Sequence, residues 1–394
     1  MKIFFYLIGY LIYPFSFLFP RNEKIWVFGS SRGAFNDNAK YLFIYTAGNR
    51  KKIRPIWLSV DKKTVAFIRK SGLESYYIGS LKGLFYSLIA KYWFFNSYTS
   101  DILFFTSGGS ICINLWHGIG LKKIEFSIEN GPLADTYIKK TLKKRFFYPQ
   151  VFRRPDYFLS TTDFQSVKFA RAFRIDLSRC LNLGYPRNEI MVWNNSKRAD
   201  FILKYEPSET REILLRIQKF RKTFIYMPTW RESQKNIFIQ NFDLRELNQL
   251  MVQKNSLFIL KPHSNTTISG DINATYSNLF LMKNTVDIYP LLSYTDVLIT
   301  DYSSVLYDYL LLENKEIILY LYDFEKYVNV RDFNYPFIEN VVGKIVTTFG
   351  QLTESIKAEN YQTDRIQKQE LKNKFWGITP DDVCGSILKR VLEK

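Results

Sequence analysis

The chain has 394 residues, 46% of them hydrophobic, and a formal net charge of +18 at pH 7, which is apolar surface enough for about two domains of the usual size. The positive balance favours anionic partners: nucleic acid, anionic lipid headgroups or phosphorylated substrates. A basic solvated face is the plain alternative, and without zinc-finger spacing, an RNA-binding signature or a basic helix with heptads no nucleic acid is expected. Three widely spaced cysteines (Cys112, Cys180, Cys384) and only two histidines (His117, His263) exclude a disulfide framework and a Cys- or His-rich metal site, and fit a reducing cytosolic compartment.

Residues 3–19 (IFFYLIGYLIYPFSFLF) carry no charge and lie between Lys2 and Arg21. They are at the lower edge of the length needed to span a bilayer. Pro14 interrupts them, Tyr6, Tyr10 and Tyr13 favour the interface, and no small-residue cleavage site follows. The segment 1–21 is therefore expected to lie in the cytoplasmic surface of an anionic membrane. A true span and an element packed on the protein itself are the alternatives.

Beyond Arg21, short apolar runs alternate with helical stretches. Strands are expected at Ile25–Phe28, Ile53–Ser59, Tyr92–Asn96, Ile111–Leu115, Tyr157–Ser160 and Leu181–Leu183, with helices at Asn38–Ala47, Lys62–Lys70 and Leu81–Ala90. Polarity rises over 194–210, where the domain boundary is placed, giving domains at 22–200 and 201–394. A helix over Thr210–Phe220 precedes strands at Phe224–Tyr226, Leu257–Leu260, Leu279–Leu281, Val297–Thr300 and Ile317–Leu321. The last helix, about Pro380 to Leu392, is a candidate to pack back on the first domain. Alternating strands and helices imply an α/β chain with two doubly wound parallel sheets. Aromatic residues fall mostly inside the apolar runs, as in Tyr92–Phe95, and read as core. Ligands of such sheets bind beyond the carboxyl ends of strands, in a cleft where two such domains face each other.

Four motifs stand at those ends. Leu115-Trp116-His117-Gly118 is followed by Leu121-Lys122-Lys123. Here a histidine could act as general base, glycines (Gly118, Gly120) allow close approach, and lysines could meet phosphate. A histidine that merely ends a strand is the alternative. Met227-Pro228-Thr229-Trp230-Arg231 offers a guanidinium fork for phosphate, or simply a surface arginine in a turn. Leu260-Lys261-Pro262-His263 offers a point charge and a second imidazole, or a loop histidine. Thr300-Asp301-Tyr302-Ser303-Ser304 opens a helix expected over Val305–Glu313, with hydroxyls and free backbone N–H groups at its start. Asp308, a turn deeper, could accept from polyol or ribose hydroxyls. Two weaker loops are Gly29–Asn38, without the spacing of a dinucleotide fingerprint, and Gly184-Tyr185-Pro186-Arg187-Asn188, whose Arg187 would face the cleft.

The order WHG-x-x-LKK, GYPRN, PTWR, KPH and TDYSS-x-x-x-D resembles the CDP-glycerol glycerophosphotransferase family of teichoic acid and capsule polymer biosynthesis. The likeness runs from about Ile25 to Tyr327 and extends to FNDNAKYLF (35–43), PDYFLSTTDFQS (155–166) and LYDFEKY (321–327). It implies a GT-B-like architecture of two Rossmann-like domains and a peripheral enzyme of the cytoplasmic membrane face. It implies transfer of glycerol or ribitol phosphate from CDP-glycerol or CDP-ribitol to a lipid-linked or polymeric glycan acceptor, with release of CMP. His117 and His263 correspond to the family's essential histidines. Arg231 corresponds to its phosphate-binding arginine, Ser303 and Ser304 to its DYSS serines and Asp308 to its later aspartate; Lys261 and Thr300 are assigned to the donor side beside them, and Asn38, Gly118, Lys122, Lys123 and Arg187 to the acceptor side. The third motif reads KPHS here, and the family's Arg-Gly-aromatic is met only by Arg331-Asp332-Phe333. The length is that of the short, primase-like members. No cofactor is expected: no metal-ligand cluster is visible, and Asp301 and Asp308 are the carboxylates that could bridge Mg²⁺. A GT-B glycosyltransferase using a nucleotide sugar is the second reading, and a non-catalytic binder of anionic polymer or lipid the third.

Overall fold

The computed structural model describes residues 2–49, 52–130, 134, 137, 142–229, 242–262, 271–329, 331–377 and 381–393. The chain divides into two compact units, 1–189 with 378–394, and 190–377. The first holds seven parallel strands in the order β3-β2-β1-β4-β5-β6-β7. They are β1 (Asn22–Gly29), β2 (Arg54–Ser59), β3 (Ser75–Tyr77), β4 (Ala90–Phe95), β5 (Ile111–Asn114), β6 (Tyr157–Ser160) and β7 (Cys180–Asn182). The second holds six parallel strands in the order β10-β9-β8-β11-β12-β13. These are β8 (Lys222–Met227), β9 (Ser256–Leu260), β10 (Leu279–Leu281), β11 (Val297–Thr300), β12 (Glu316–Tyr320) and β13 (Lys344–Val346). Each order reverses once, between β1 and β4 and between β8 and β11, so each unit has one topological switch point.

The strands are apolar runs because both faces of a parallel sheet are covered. β9 and β11 are buried along their whole length, and Trp26, Trp57 and Trp93 are completely buried. Two strands escape the sequence pattern, β3 and β13. Both are three-residue edge strands, too short to show a period. The polar stretch at 194–210 is folded as the start of the second unit. Asn194 caps the helix Asn195–Tyr205, and Arg198 ties that helix to the carbonyls of Ile190 and Met191. The helix Val383–Leu392 belongs to the first unit, where the Cys384 N–H donates to Glu189 at 2.5 Å.

The N-terminal segment forms a helix over Lys2–Phe15. At 1.5 Å per residue it is about 21 Å long, short of the roughly 30 Å hydrocarbon layer. Among the described residues no helix is long and apolar enough to cross a membrane. One face is docked: Tyr6 donates to the Phe147 carbonyl at 2.7 Å, Tyr13 stacks on Phe104, and Gly9 packs against Phe105. The opposite face leaves Phe4, Leu11 and Phe15 more than 60% exposed. Arg21 then fastens the segment, donating to the carbonyls of Ser87, Ala90 and Thr106 near the starts of β4 and β5.

Gly83, in the helix Leu81–Ile89, tests how tightly that helix lies on β3. A Cβ there would stand 2.2 Å from the Tyr77 carbonyl oxygen. Helix propensity favours alanine by about 1 kcal/mol, whereas overpacking against backbone costs about 1–3 kcal/mol. Gly83→Ala is expected to lower the melting temperature by about 2–6 °C in calorimetry; a rise would mean that propensity wins.

Candidate active site

In the first unit β4 and β5 end side by side, with Phe95 opposite Asn114. The chain leaving β5 turns sharply: Trp116 takes φ 52 and Gly118 φ 147, the latter a conformation that suits glycine. Buried side chains hold this turn. Asn114 accepts from the Trp116 N–H at 2.9 Å and donates to the Ser97 carbonyl at 2.8 Å. Asn38 donates to the carbonyls of Leu115 and Trp116 and accepts from the Arg187 N–H. Tyr185 donates to the Gly118 carbonyl at 3.0 Å, and the Gly120 N–H donates to Gln165 at 2.9 Å.

The turn carries His117, whose Nδ1 lies 3.2 Å from the Asn96 carbonyl and whose ring rests on Trp116 with centroids 4.0 Å apart. A carbonyl only accepts, so this contact keeps the proton on Nδ1 and leaves the lone pair on Nε2. The ring has an exposed side, yet the protein around it lowers its pKa. Loss of solvation is the largest cause, opposed by Asp37 and the Asn96 carbonyl and reinforced by Arg187. Solvent at the open side moderates that loss, and the direction suffices: the imidazole is neutral at pH 7.

The residues assigned to the acceptor side have more specific places. Asn38 is completely buried, and its carboxamide serves the WHG turn instead of facing solvent. Arg187 is also interior, in an ion pair with Asp37 at 2.8 Å. Lys123 pairs with Glu129 at 2.6 Å, and Lys122 is half-buried. The Gly29–Asn38 loop fills itself: Ser30 donates to Asn36, and Asn96 donates to Ser30. Asn96 and Asn114 are absent from the motif reading, although each stands at the end of an apolar run just as His117 does.

In the second unit three motifs meet beyond β8, β9 and β11. Thr300 is buried and donates to the Met227 carbonyl at 2.7 Å, and buried Asp301 accepts from the Thr229 N–H at 2.8 Å. The Lys261 N–H donates to the Tyr226 carbonyl at 3.0 Å. Its ammonium, however, points inward and donates to the carbonyls of Lys283 (2.8 Å) and Val286 (3.0 Å). Burial lowers its pKa to about 8, against the raising influence of Asp287 and Glu209. Lys261 thus fastens a loop instead of offering a point charge to phosphate. Asp308 is completely buried and accepts from Tyr289 at 2.6 Å, so it does not reach solvent to meet a polyol.

Ser303 and Ser304 are half-exposed, and Ser304 makes no side-chain capping bond. The helix they open covers only Val305–Tyr309, shorter than the expected Val305–Glu313. Beyond it the Leu311 and Leu312 N–H groups reach back only three residues, to the carbonyls of Asp308 and Tyr309, and the buried ammonium of Lys368 takes the carbonyls of Leu312, Glu313 and Lys315. Tyr302 anchors the turn, stacked on Tyr327 at 3.9 Å and donating to Asp323 at 3.0 Å. The LYDFEKY stretch and Phe333 are in this way packed against the DYSS turn. Arg231 and His263 lie outside the described residues, with only the first residues of their motifs in place. Among the described residues no group of three or more His, Cys, Asp or Glu side chains could hold a metal ion; Asp301 and Asp308 have the protein partners given above.

A model of the CDP-glycerol:poly(glycerophosphate) glycerophosphotransferase family matches residues 11–392. The chain belongs to this family. It is 31% identical over 364 residues to a teichoic acid poly(glycerol phosphate) polymerase of Bacillus spizizenii, covering 88% of this chain and 86% of that one. It is 28% identical to a teichoic acid glycerol-phosphate transferase of Staphylococcus aureus, covering 93% and 94%. Two structures of one variant of the wall teichoic acid polymerase TagF share the fold. One has TM-score 0.77 at 23% identity, covering 95% of this chain and 89% of that one. The other, soaked with CDPG, has 0.70 at 25%, covering 95% and 90%. The protein is therefore a transferase of the glycerophosphotransferase class with a GT-B-like pair of parallel-sheet units, and the nucleotide-sugar reading gives way.

Asn38 offers the direct test of the turn that carries His117. Asn38→Ala leaves two buried carbonyls and one N–H without it, a loss of about 2–4 kcal/mol. Urea denaturation should show a lowered midpoint, and turnover should fall with it. An unchanged midpoint would mean that Asn114 and Tyr185 hold the turn unaided.

Proposed function

We propose that this family member transfers glycerol phosphate, or ribitol phosphate, from the CDP-activated polyol to a hydroxyl of a lipid-linked or polymeric teichoic-acid-like acceptor, working at the cytoplasmic face of the membrane. The observation that carries the chemical part is the fixed tautomer of His117, a neutral imidazole with its basic nitrogen turned away from Asn96. His117 Nε2 takes the proton of the acceptor hydroxyl. The oxygen forms a bond to the β-phosphorus, the bond from that phosphorus to the CMP oxygen breaks, and CMP leaves with the electron pair. Donor phosphates are met by the Ser303 and Ser304 hydroxyls and by the backbone N–H groups of that turn. From the motifs alone, Arg231 is assigned to the donor phosphates and His263 to catalysis, donating to the leaving or bridging phosphoryl oxygen. The exposed apolar face of the helix Lys2–Phe15 supports the membrane part of the reading.

Two measurements test this. In calorimetry the full chain should bind CDP-glycerol or CDP-ribitol, with Ser303→Ala weakening binding about ten-fold or more. His117→Ala should bind the donor as before while CMP release falls about 10²–10⁴-fold. Near-normal turnover by His117→Ala would remove it as the base, and binding of nucleotide sugars in place of CDP-polyols would remove the donor assignment.

The pH profile gives a separate check. The base form is lost as pH falls through the His117 pKa, which lies below the ordinary 6.5, so the acid limb of kcat/KM should lie below that value. Asp37→Asn removes a carboxylate that raises the His117 pKa and frees Arg187, which lowers it. Its limb should move further down; a move upward would contradict the assignment.

A further inference from the structure

Arg174 ends the helix Asp163–Phe173 in the left-handed conformation, φ 55. Its guanidinium lies 3.5 Å from the centroid of Phe126. Phe126 meets Phe152 edge-on, with centroids 5.8 Å apart, and Arg145 stands 5.4 Å over Phe152. Two guanidiniums are thus held on two touching rings. Burial first, then the charges of Arg154 and Arg145, lowers the Arg174 pKa.

No acid neutralises this pair among the described residues. The carboxylates of the same segments are engaged elsewhere: Glu129 with Lys123 and Arg171, Glu125 with Tyr98, Asp156 with the Cys112 N–H, and Asp176 with Arg179. Stacking on aromatic rings fixes each guanidinium, but it does not explain why like charges converge. Convergence without an acid is the pattern of an anion site.

The surroundings say which kind of anion. Arg145 belongs to the helix Leu142–Phe147, which Tyr10 of the N-terminal helix binds through the carbonyls of Arg145 and Phe146, each at 3.0 Å. Between these helices runs an open groove of about 600 Å³, lined by Ile3, Tyr10, Leu142, Phe146 and Phe147 with Lys143 and Arg145. A cationic cluster next to an apolar groove, on a helix with its outer face bare, matches a molecule that joins a phosphate to hydrocarbon. We propose that Arg145 and Arg174 form a site for the phosphate of a membrane lipid, whose chain follows the groove beside the N-terminal helix. This rests on the membrane reading given under the proposed function.

The test is sedimentation of the full chain with vesicles of phosphatidylcholine alone, or of phosphatidylcholine with phosphatidylglycerol. The wild type should prefer the anionic vesicles. Arg145→Gln/Arg174→Gln should lose about five-fold per guanidinium of that preference, while binding to phosphatidylcholine stays the same. Lys63→Gln/Lys70→Gln, with equal charge loss on another exposed helix, should change it less than two-fold. Equal losses in the two double variants would reduce the effect to diffuse attraction and overturn the site. Displacement by millimolar glycerol phosphate as complete as by anionic vesicles would assign the pair to free phosphate esters and overturn the lipid. Sedimentation with neither vesicle would overturn the membrane reading itself, and this proposal with it.

Discussion

Parallel strands that stop side by side leave their last carbonyl and N–H groups without a ladder partner, and leaving such groups buried and unbonded is costly. Both sheets meet this constraint with short buried polar side chains at the strand ends or packed against them. Asn38, Asn96 and Asn114 do so in the first unit, and Thr300 and Asp301 in the second. The reactive geometry depends on them. His117 is oriented by a carbonyl that is itself part of this lattice, and the DYSS turn starts from a threonine and an aspartate that bind the neighbouring strand's exit. Each unit's cluster is thus a by-product of how its own sheet is closed off, and in the first unit His117 sits on the last bond of the lattice.

The same constraint explains what could be read from the sequence. Central strands are apolar runs bounded by polar residues, and β6 and β11, like the edge strand β10, lie where those runs predict. Their ends, and so the location of His117 and Ser303, follow directly. Side-chain direction does not. Lys261 and Asp308 sit at strand-end and helix-face positions that suit a ligand, yet each is turned inward by a partner distant in sequence, Val286 for one and Tyr289 for the other. The helix after Ser304 also ends earlier than its pattern. The apolar run Leu310-Leu311-Leu312 continues a helical pattern but is folded as a tighter turn, and Lys368, more than fifty residues on, binds the carbonyls of Leu312 and Lys315. Local pattern locates elements, while contacts between distant segments decide which way a polar side chain faces.

The basic composition reads differently in this light. Arg21 closes the carbonyls of Ser87, Ala90 and Thr106, Arg198 those of Ile190 and Met191, and Lys261 and Lys368 those of their loops. Converging carbonyl oxygens present the negative pole that a phosphate would, and the fold uses buried cations to fill it. A net charge of +18 therefore overstates the charge left for substrates. Cations that bind backbone are desolvated and held by several acceptors, whereas Arg145 and Arg174 are held on rings, which occupy the face of a guanidinium and leave its N–H edges for an anion. For a cationic side chain in this protein, the nature of its support, carbonyls or aromatic rings, separates structural charge from charge available to bind.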